Sequence, residues 1–245
     1  MQALPIIKIF KEVPIRIFTN YKSFLRLTSP FIIYSIFSYL GFNTLLPVVD
    51  FLLSIVFAVL AIVGCHRVFL LDKEEVMQTR IIRWGRSEAS FIGWWILIGL
   101  CGVLIVYPLM YLFTNAHSSI IQYTSLGKDA PLVAMIPVLV IICYIFLRCS
   151  LVFPAASIEE ETSFSWSWSI SKGNSLRLAF LIGLIPMLSS AIFESLPEIE
   201  TILYSALIEL LWSIIVLFEI GLLSLSYQWL NNNQERITEY HHDTV

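Results

Sequence analysis

The sequence predicts an all-α, polytopic membrane protein with six transmembrane helices and short amphipathic helices at the cytoplasmic surface. Composition is the first observation: 58% of the 245 residues are hydrophobic and only 13% are charged, which lies outside the range of soluble domains. Apolar runs are the second, since a spanning helix needs about 20 mainly apolar residues. The runs lie near residues 27–46, 48–65, 91–113, 131–153, 178–194 and 201–229.

The distribution of basic residues is the third observation. With six crossings, all but one of the 15 Lys and Arg residues lie on one side of the membrane, and Lys128 is the exception. Because Lys and Arg concentrate in cytoplasmic loops, both termini are expected in the cytoplasm. Several acidic residues lie on the other side, so the formal net charge of -3 gives no reason to expect a nucleic-acid partner.

The loops between these runs are too short to hold a separate soluble domain. We therefore expect one six-helix transmembrane domain over residues 1–230, followed by a polar cytoplasmic tail over 231–245. Within the domain, residues 1–24 alternate bulky apolar side chains with basic ones and should lie at the membrane surface. Pro5 and Pro14 argue against one continuous helix, so we expect short amphipathic pieces. The basic residues expected to meet anionic headgroups here are Lys8, Lys11 and Arg16.

The loop before the third run also has an amphipathic pattern. Met77, Ile81 and Trp84 follow i, i+4, i+7 spacing, with Arg80 and Arg83 beside them, which predicts a short helix on the inner surface. Its Trp would lie at headgroup level and its arginines near lipid phosphates. A docking site for a membrane-protein partner would have the same pattern.

The segment SFSWSWSIS, residues 163–171, alternates polar and apolar residues as a strand does. A lone strand between membrane helices would have no pairing partner, and unpaired backbone groups near hydrocarbon cost several kcal/mol. A helix accounts for the same residues by placing Phe164 beside Trp168 and Trp166 beside Ile170. We therefore predict a surface-lying aromatic helix whose serines face water or cap turns. The lipid-interface residues expected here are Trp166, Trp168, Lys172 and Arg177.

The surrounding stretch, RCSLVFPAASIEEETSFSWSWSISKGNSLRL, begins at Arg148. It resembles the membrane-domain family of glycerophosphodiester phosphodiesterases and related six-helix inner-membrane proteins of bacteria. The resemblance implies a six-helix fold with a cytoplasmic reentry helix, and it implies no hydrolase activity because the chain has no room for the phosphodiesterase barrel. Trp166 departs from the pattern, which often has a basic residue there. The matching residues are Arg148, Pro154, Ala155, Ser167, Trp168, Ile170, Ser171, Lys172, Gly173, Arg177 and Leu178.

Charged residues inside predicted spans are candidates for function, because burial in the membrane is costly. Arg148 and Glu219 lie at similar predicted depths, so an internal ion pair is one interpretation. A substrate anchor, a proton relay, or snorkelling of the Arg148 side chain to the surface are the others. Glu209 has no charged residue at its predicted depth and would be a hydrogen-bond donor or a titrating transport group.

Three prolines interrupt predicted spans, each removing one helical hydrogen bond. They are Pro108, Pro137 and Pro186. Such breaks line binding sites in transporters, but they also occur in helical bundles without a transport role.

No motif for enzymatic chemistry is present, and we expect no catalytic residue, cofactor or metal site. The four cysteines lie in or beside spans without metal-binding spacing. The sequence thus favours a non-enzymatic scaffold or accessory factor that contacts membrane lipids or a protein. The alternative is a transporter of small solutes or lipids that uses Arg148, Glu209 and Glu219.

Overall fold

A computed structural model describes residues 2–39, 46–120, 130–197 and 201–242, and this part of the chain is helical with no strand. The elements are α1 (Ile6–Thr19), α2 (Tyr21–Tyr39), α3 (Pro47–Leu70), α4 (Lys73–Gln78), α5 (Arg86–Ile120), α6 (Ala130–Cys149), α7 (Val152–Ser157), α8 (Phe164–Ile170), α9 (Ser175–Leu178), a π-helical turn (Ala179–Leu184), α10 (Ile185–Glu194) and α11 (Ile202–His242). The predicted all-α class is confirmed.

Within the described residues, 5 helical stretches are long and apolar enough to cross a membrane. They are Pro47–Leu70, Arg86–Leu109, Val140–Ser157, Ser175–Glu194 and Leu207–Gln234. Many of their large apolar side chains point outward, as on Leu104 and Tyr107, which are 64% and 72% exposed. A surface this apolar indicates helices that face lipid rather than water.

The first predicted span, 27–46, overlaps α2, which does not meet the same criterion of length and hydropathy. Residues 40–45 lie outside the described part, so the sixth span remains a prediction.

Helix α2 nevertheless packs antiparallel against α3. The hydroxyl of Tyr34 donates to the backbone carbonyl of Asp50 at 2.8 Å. Further along, a Cβ added to Gly64 would lie 3.0 Å from Cβ of Leu27.

The short helices α1, α4, α7, α8 and α9 gather at one end of the long helices, and we call them the short-helix layer. Helices α3 and α6 end in this layer, and α5 begins there. The Lys and Arg side chains that the structure describes all lie in it or on adjoining helix ends, and the side of the membrane that this end faces stays a prediction. They are Lys8, Lys11, Arg16, Lys22, Arg26, Arg67, Lys73, Arg80, Arg83, Arg86, Arg148, Lys172 and Arg177.

The main buried core lies at the same end. Apolar side chains from α1, α3, α7, α9 and α11 meet there, including Val13, Phe69, Ala155, Leu178 and Leu222. The layer is therefore packed like the interior of a soluble protein, while the opposite parts of the long helices expose apolar surface.

The prediction of short pieces at the N-terminus is wrong, because α1 runs unbroken through Pro14. Tertiary packing offsets the hydrogen bond that Pro14 cannot make. Ile9 and Val13 on one face of α1 are buried, and a Cβ on Gly221 of α11 would lie only 2.6 Å from Cγ1 of Val13. Pro5 precedes the helix, where its missing N–H costs nothing.

The predicted helix across residues 77–84 is also wrong, because α4 ends at Gln78. Ile81 and Trp84 therefore do not share a helical face with Met77. Arg26 of α2 explains the stop: one of its terminal nitrogens donates to the carbonyl of Met77 at 3.0 Å and to that of Thr79. Carbonyls at a helix end need such partners, and a cation satisfies them well.

Of the three predicted breaks, Pro186 alone coincides with a change of helix type in the described backbone. It follows the π-helical turn Ala179–Leu184. Helix α5 continues through Pro108, and the backbone of α6 continues through Pro137, whose side chain is outside the described set.

Candidate functional site

Arg148 organises the contact between α6 and the short-helix layer. It lies in the last turn of α6 and is 6% exposed. Its Nε donates to Oγ of Ser171 at 2.8 Å, and Nη1 donates to the hydroxyl of Tyr144 at 3.3 Å. The other terminal nitrogen donates to the carbonyl of Trp168. These acceptors are all neutral, and the guanidinium forms no ion pair with any residue that the structure describes.

The same guanidinium stacks on aromatic rings. Its Cζ lies 3.7 Å from the ring centroid of Trp168 and 5.7 Å from that of Tyr144. Cation–π contacts of this kind favour Arg beside Trp, particularly away from water. In return, the hydroxyl of Ser167 donates to the backbone carbonyl of Arg148. Together these contacts hold α8 against the end of α6.

The predicted helix at residues 163–171 is confirmed as α8. Ser163 caps its start, with Oγ accepting from the N–H of Trp166 at 3.1 Å. The expectation that the serines face water is wrong for Ser167 and Ser171, which are fully buried. Their hydroxyls are buried because they bind Arg148.

The hypothesis of an Arg148–Glu219 ion pair is wrong. Oε1 of Glu219 accepts a hydrogen bond from Oγ of Ser189 at 2.8 Å, which joins α11 to α10. Arg148 instead points toward α8, because the chain after α6 folds back across its end. Glu209 is exposed on α11, so the structure does not assemble Arg148, Glu209 and Glu219 into one site.

A buried ion pair joins the ends of α3 and α5. Nη1 of Arg67 lies 3.0 Å from Oε1 of Glu88, and these side chains are 7% and 1% exposed. Nε of Arg67 donates to the carbonyl of Ser157 at 2.9 Å, and Oε2 of Glu88 accepts from the N–H of Gly85 at 2.8 Å. Arg67 is among the basic residues predicted on the cytoplasmic side, and no partner was predicted for it. The sequence signal that could have predicted the pair is the opposite charge of Arg67 and Glu88, which lie at the two ends of the connection between α3 and α5.

Polar contacts also attach the N-terminus to the layer. The N–H of Leu4 donates to Oδ1 of Asn174 at 2.7 Å, and Nη1 of Arg177 donates to the carbonyl of Leu4 at 2.8 Å. Nearby, Nδ1 of His66 and Oγ of Ser224 lie 2.7 Å apart in a buried hydrogen bond between α3 and α11. The hydrogen bond from Arg177 to Leu4 is a contact within the protein, in addition to the lipid contact predicted for Arg177.

The other predicted interface residues divide into two groups. Arg16 and Arg83 bind within the protein: Arg16 pairs with Glu12 at 2.7 Å, and Arg83 with Glu159 at 3.2 Å. Trp166 is half-buried, with its ring centroid 6.0 Å from that of Tyr227. The remaining predicted residues are exposed, namely Lys8, Lys11, Arg80, Trp84, Trp168 and Lys172.

A crevice of about 400 Å³ lies between α5 and α6 and ends at α8. Its walls are apolar, with Ile98 and Ile105 on α5 and Ile142 and Ile145 on α6. Trp168 lines the end of the crevice and also contacts Arg148. Among the described residues, no group of three or more His, Cys, Asp or Glu side chains could hold a metal ion.

These features define an all-helical protein with helices apolar enough to cross a membrane and a packed layer of short helices at one end. No family model, curated protein or solved structure matches the chain.

Proposed function

We propose that this chain is a non-enzymatic, six-span protein of the bacterial inner membrane that acts as a scaffold or accessory factor. In this proposal both termini and the short-helix layer face the cytoplasm, and the layer contacts anionic lipid headgroups or a membrane-protein partner. The proposal includes kinship with the six-helix inner-membrane proteins whose segment the chain resembles at 148–178.

The observation that carries this proposal is the way the charged groups near the membrane are used. Arg148 binds α8, Glu219 binds Ser189, and Arg67 pairs with Glu88, so these side chains connect helices to one another. A transport pathway needs polar groups that converge on a shared cavity. The crevice between α5 and α6 is instead apolar.

The outward face of α1 supports a lipid-contacting role. Ile7 and Phe18 are 71% and 78% exposed, on a face that also carries the exposed Lys8 and Lys11. Apolar side chains flanked by lysines are typical of helices that lie in the headgroup layer. Each Lys or Arg near an anionic leaflet contributes about 1 kcal/mol of attraction.

A second exposed segment begins in the last turn of α4, continues beyond the helix, and is suited to lipid or to a protein partner. Met77, Ile82 and Trp84 are 59%, 70% and 51% exposed, and Arg80 lies between them. Met77 lies in the last turn of α4, whereas Arg80, Ile82 and Trp84 follow the helix, so Ile82 and Trp84 would be presented by a loop rather than by a helical stripe.

Vesicle reconstitution tests the proposal. Vesicles that contain only this protein should leak solutes and exchange labelled lipids between leaflets no faster than protein-free vesicles. Robust flux would overturn the scaffold proposal. If that flux disappeared in a folded Glu219→Gln variant, the transporter alternative would replace it.

Spin labels on α1 test the lipid-contacting face. Labels at positions 7 and 18 should be accessible to lipid-soluble oxygen, whereas a label at the neighbouring polar residue Thr19 should be accessible to a water-soluble nickel reagent. Equal exposure of all three labels to the nickel reagent would contradict contact with lipid.

A further inference from the structure

The crevice between α5 and α6 has the length and lining of a site for one hydrocarbon chain. Its walls extend from Ile98 to Ile105 and from Ile142 to Cys149. The ends of each wall are seven residues apart on their helix, a rise of about 10 Å. That is roughly two thirds of one leaflet of a hydrocarbon core about 30 Å thick. The crevice opens sideways, since Ile105 and Ile145 at its edge are 39% and 36% exposed.

Beside the end of the crevice at α8 lies a positive charge with no counter-ion among the described residues. Arg148 donates hydrogen bonds only to neutral oxygens and pairs with no acidic side chain in the described part of the chain. Its Cζ lies 3.7 Å from the ring of Trp168, which lines the crevice. A second positive charge follows in the chain, since the exposed Lys172 lies in the turn just after α8, four residues after Trp168.

We propose that this crevice binds one acyl chain of an anionic phospholipid from the adjoining leaflet, with the lipid phosphate beside Trp168 under the attraction of Arg148 and Lys172. This inference rests on the proposed function and specifies the lipid class that the protein retains. The apolar walls would bind the acyl chain of any phospholipid, whatever the headgroup of that lipid. The uncompensated charge selects a headgroup of net negative charge, because a buried cation is poorly screened by salt.

Ile145 offers the variant that tests the crevice, because its side chain lines the wall and Arg148 need not move. Ile145→Trp should fill the space. Ile141→Trp is the matched control, since Ile141 lies one turn earlier on α6, is 59% exposed and does not line the crevice. Arg148→Gln and Arg148→Lys separate the charge from the packing.

The measurement is native mass spectrometry of protein released from mild detergent in the presence of equal amounts of phosphatidylglycerol and phosphatidylcholine. Wild type and Ile141→Trp should retain one phosphatidylglycerol in preference to phosphatidylcholine. Ile145→Trp should retain about tenfold less, a ratio that corresponds to about 1.4 kcal/mol of binding free energy. Arg148→Gln should lose the preference for the anionic lipid, and Arg148→Lys should keep it.

Equal retention by Ile145→Trp and wild type would overturn the crevice site while leaving contacts elsewhere on the layer, and hence the proposed function, intact. An unchanged preference in Arg148→Gln would overturn the role of its charge. A phosphatidylglycerol with a photoreactive group in its acyl chain requires no variant. Crosslinks should concentrate in residues 98–105 and 142–149, and an even spread over the spans would overturn the site. Solute flux, measured separately, would contradict the scaffold function without bearing on these lipid counts.

Discussion

The guanidinium of Arg148 lies over the indole ring of Trp168, with Cζ 3.7 Å from the ring centroid, and donates to the carbonyl oxygen of the same residue. One side chain at the end of α6 therefore holds both the ring and the backbone of α8.

Replacing Arg148 should release α8 from α6. We expect Arg148→Ala to lower the free energy of unfolding by about 3 kcal/mol, because buried hydrogen bonds from a charged group contribute about 1.5–3 kcal/mol each and their acceptors would remain unpaired. Denaturant titration in detergent, followed by tryptophan fluorescence, measures this loss. The exposed Lys172→Ala is the control and should be neutral. Equal stability of the two variants would show that Arg148 does not hold α8 against α6.

The buried and exposed ion pairs of the layer should differ in strength. Glu88→Gln leaves Arg67 buried without its counter-ion, and we expect a loss of about 3–5 kcal/mol in the free energy of unfolding. Glu159→Gln removes the partner of Arg83 at the surface and should cost at most about 1 kcal/mol. Thermal unfolding of both variants in one detergent gives the comparison. A larger loss for Glu159→Gln would show that burial does not determine the contribution of these pairs.

Gly221 allows three helices to meet. A Cβ at this position would lie 2.6 Å from Cζ of Phe69 and 2.6 Å from Cγ1 of Val13, so Gly221→Ala should push α1 away from α3 and α11. Overpacking of this kind costs about 1–3 kcal/mol. Proteolysis of the N-terminal region should become faster.

Gly99→Ala is the matched control for that experiment, since nothing lies within 4 Å of its added Cβ. Replacing a helical Gly by Ala there should be neutral or stabilising by up to about 1 kcal/mol. If proteolysis of the N-terminal region were as slow in both variants as in wild type, close packing at Gly221 would not be what holds α1 in place.

Arg26 should determine where α4 ends. In Arg26→Ala the carbonyls of Met77 and Thr79 lose their donor, so amide hydrogen exchange over residues 76–82 should accelerate. Lys22→Ala, one turn earlier on α2, removes a charge without touching α4 and should leave that exchange unchanged. Unchanged exchange in both variants would mean that the turn after Gln78 is stable without Arg26.

Patterns within a single segment were predicted well. The apolar runs predicted the long helices of the described residues that are able to span a membrane. Polar and apolar residues alternate around Trp166 and Trp168, but no neighbouring strand could pair with them, and the helix predicted on that ground is present as α8. Both predictions depend on local periodicity and on the need of every backbone group near hydrocarbon for a partner. Neither requires knowledge of which segments become neighbours.

Features set by contacts between distant segments were mispredicted or missed. Helix α4 ends at Gln78 because Arg26 of α2 donates to the carbonyls of Met77 and Thr79. Pro14 lies within a continuous helix because α3 and α11 pack against α1.

The sequence by itself determined the all-α class, the apolar segments and the collection of basic residues at one end, because composition and spacing depend on the chain alone. Only the tertiary structure decided the partner of each charge. Arg148 binds α8 rather than Glu219, and Arg67 binds Glu88, because hydrogen bonds act over about 3 Å and helix packing decides which groups come that close.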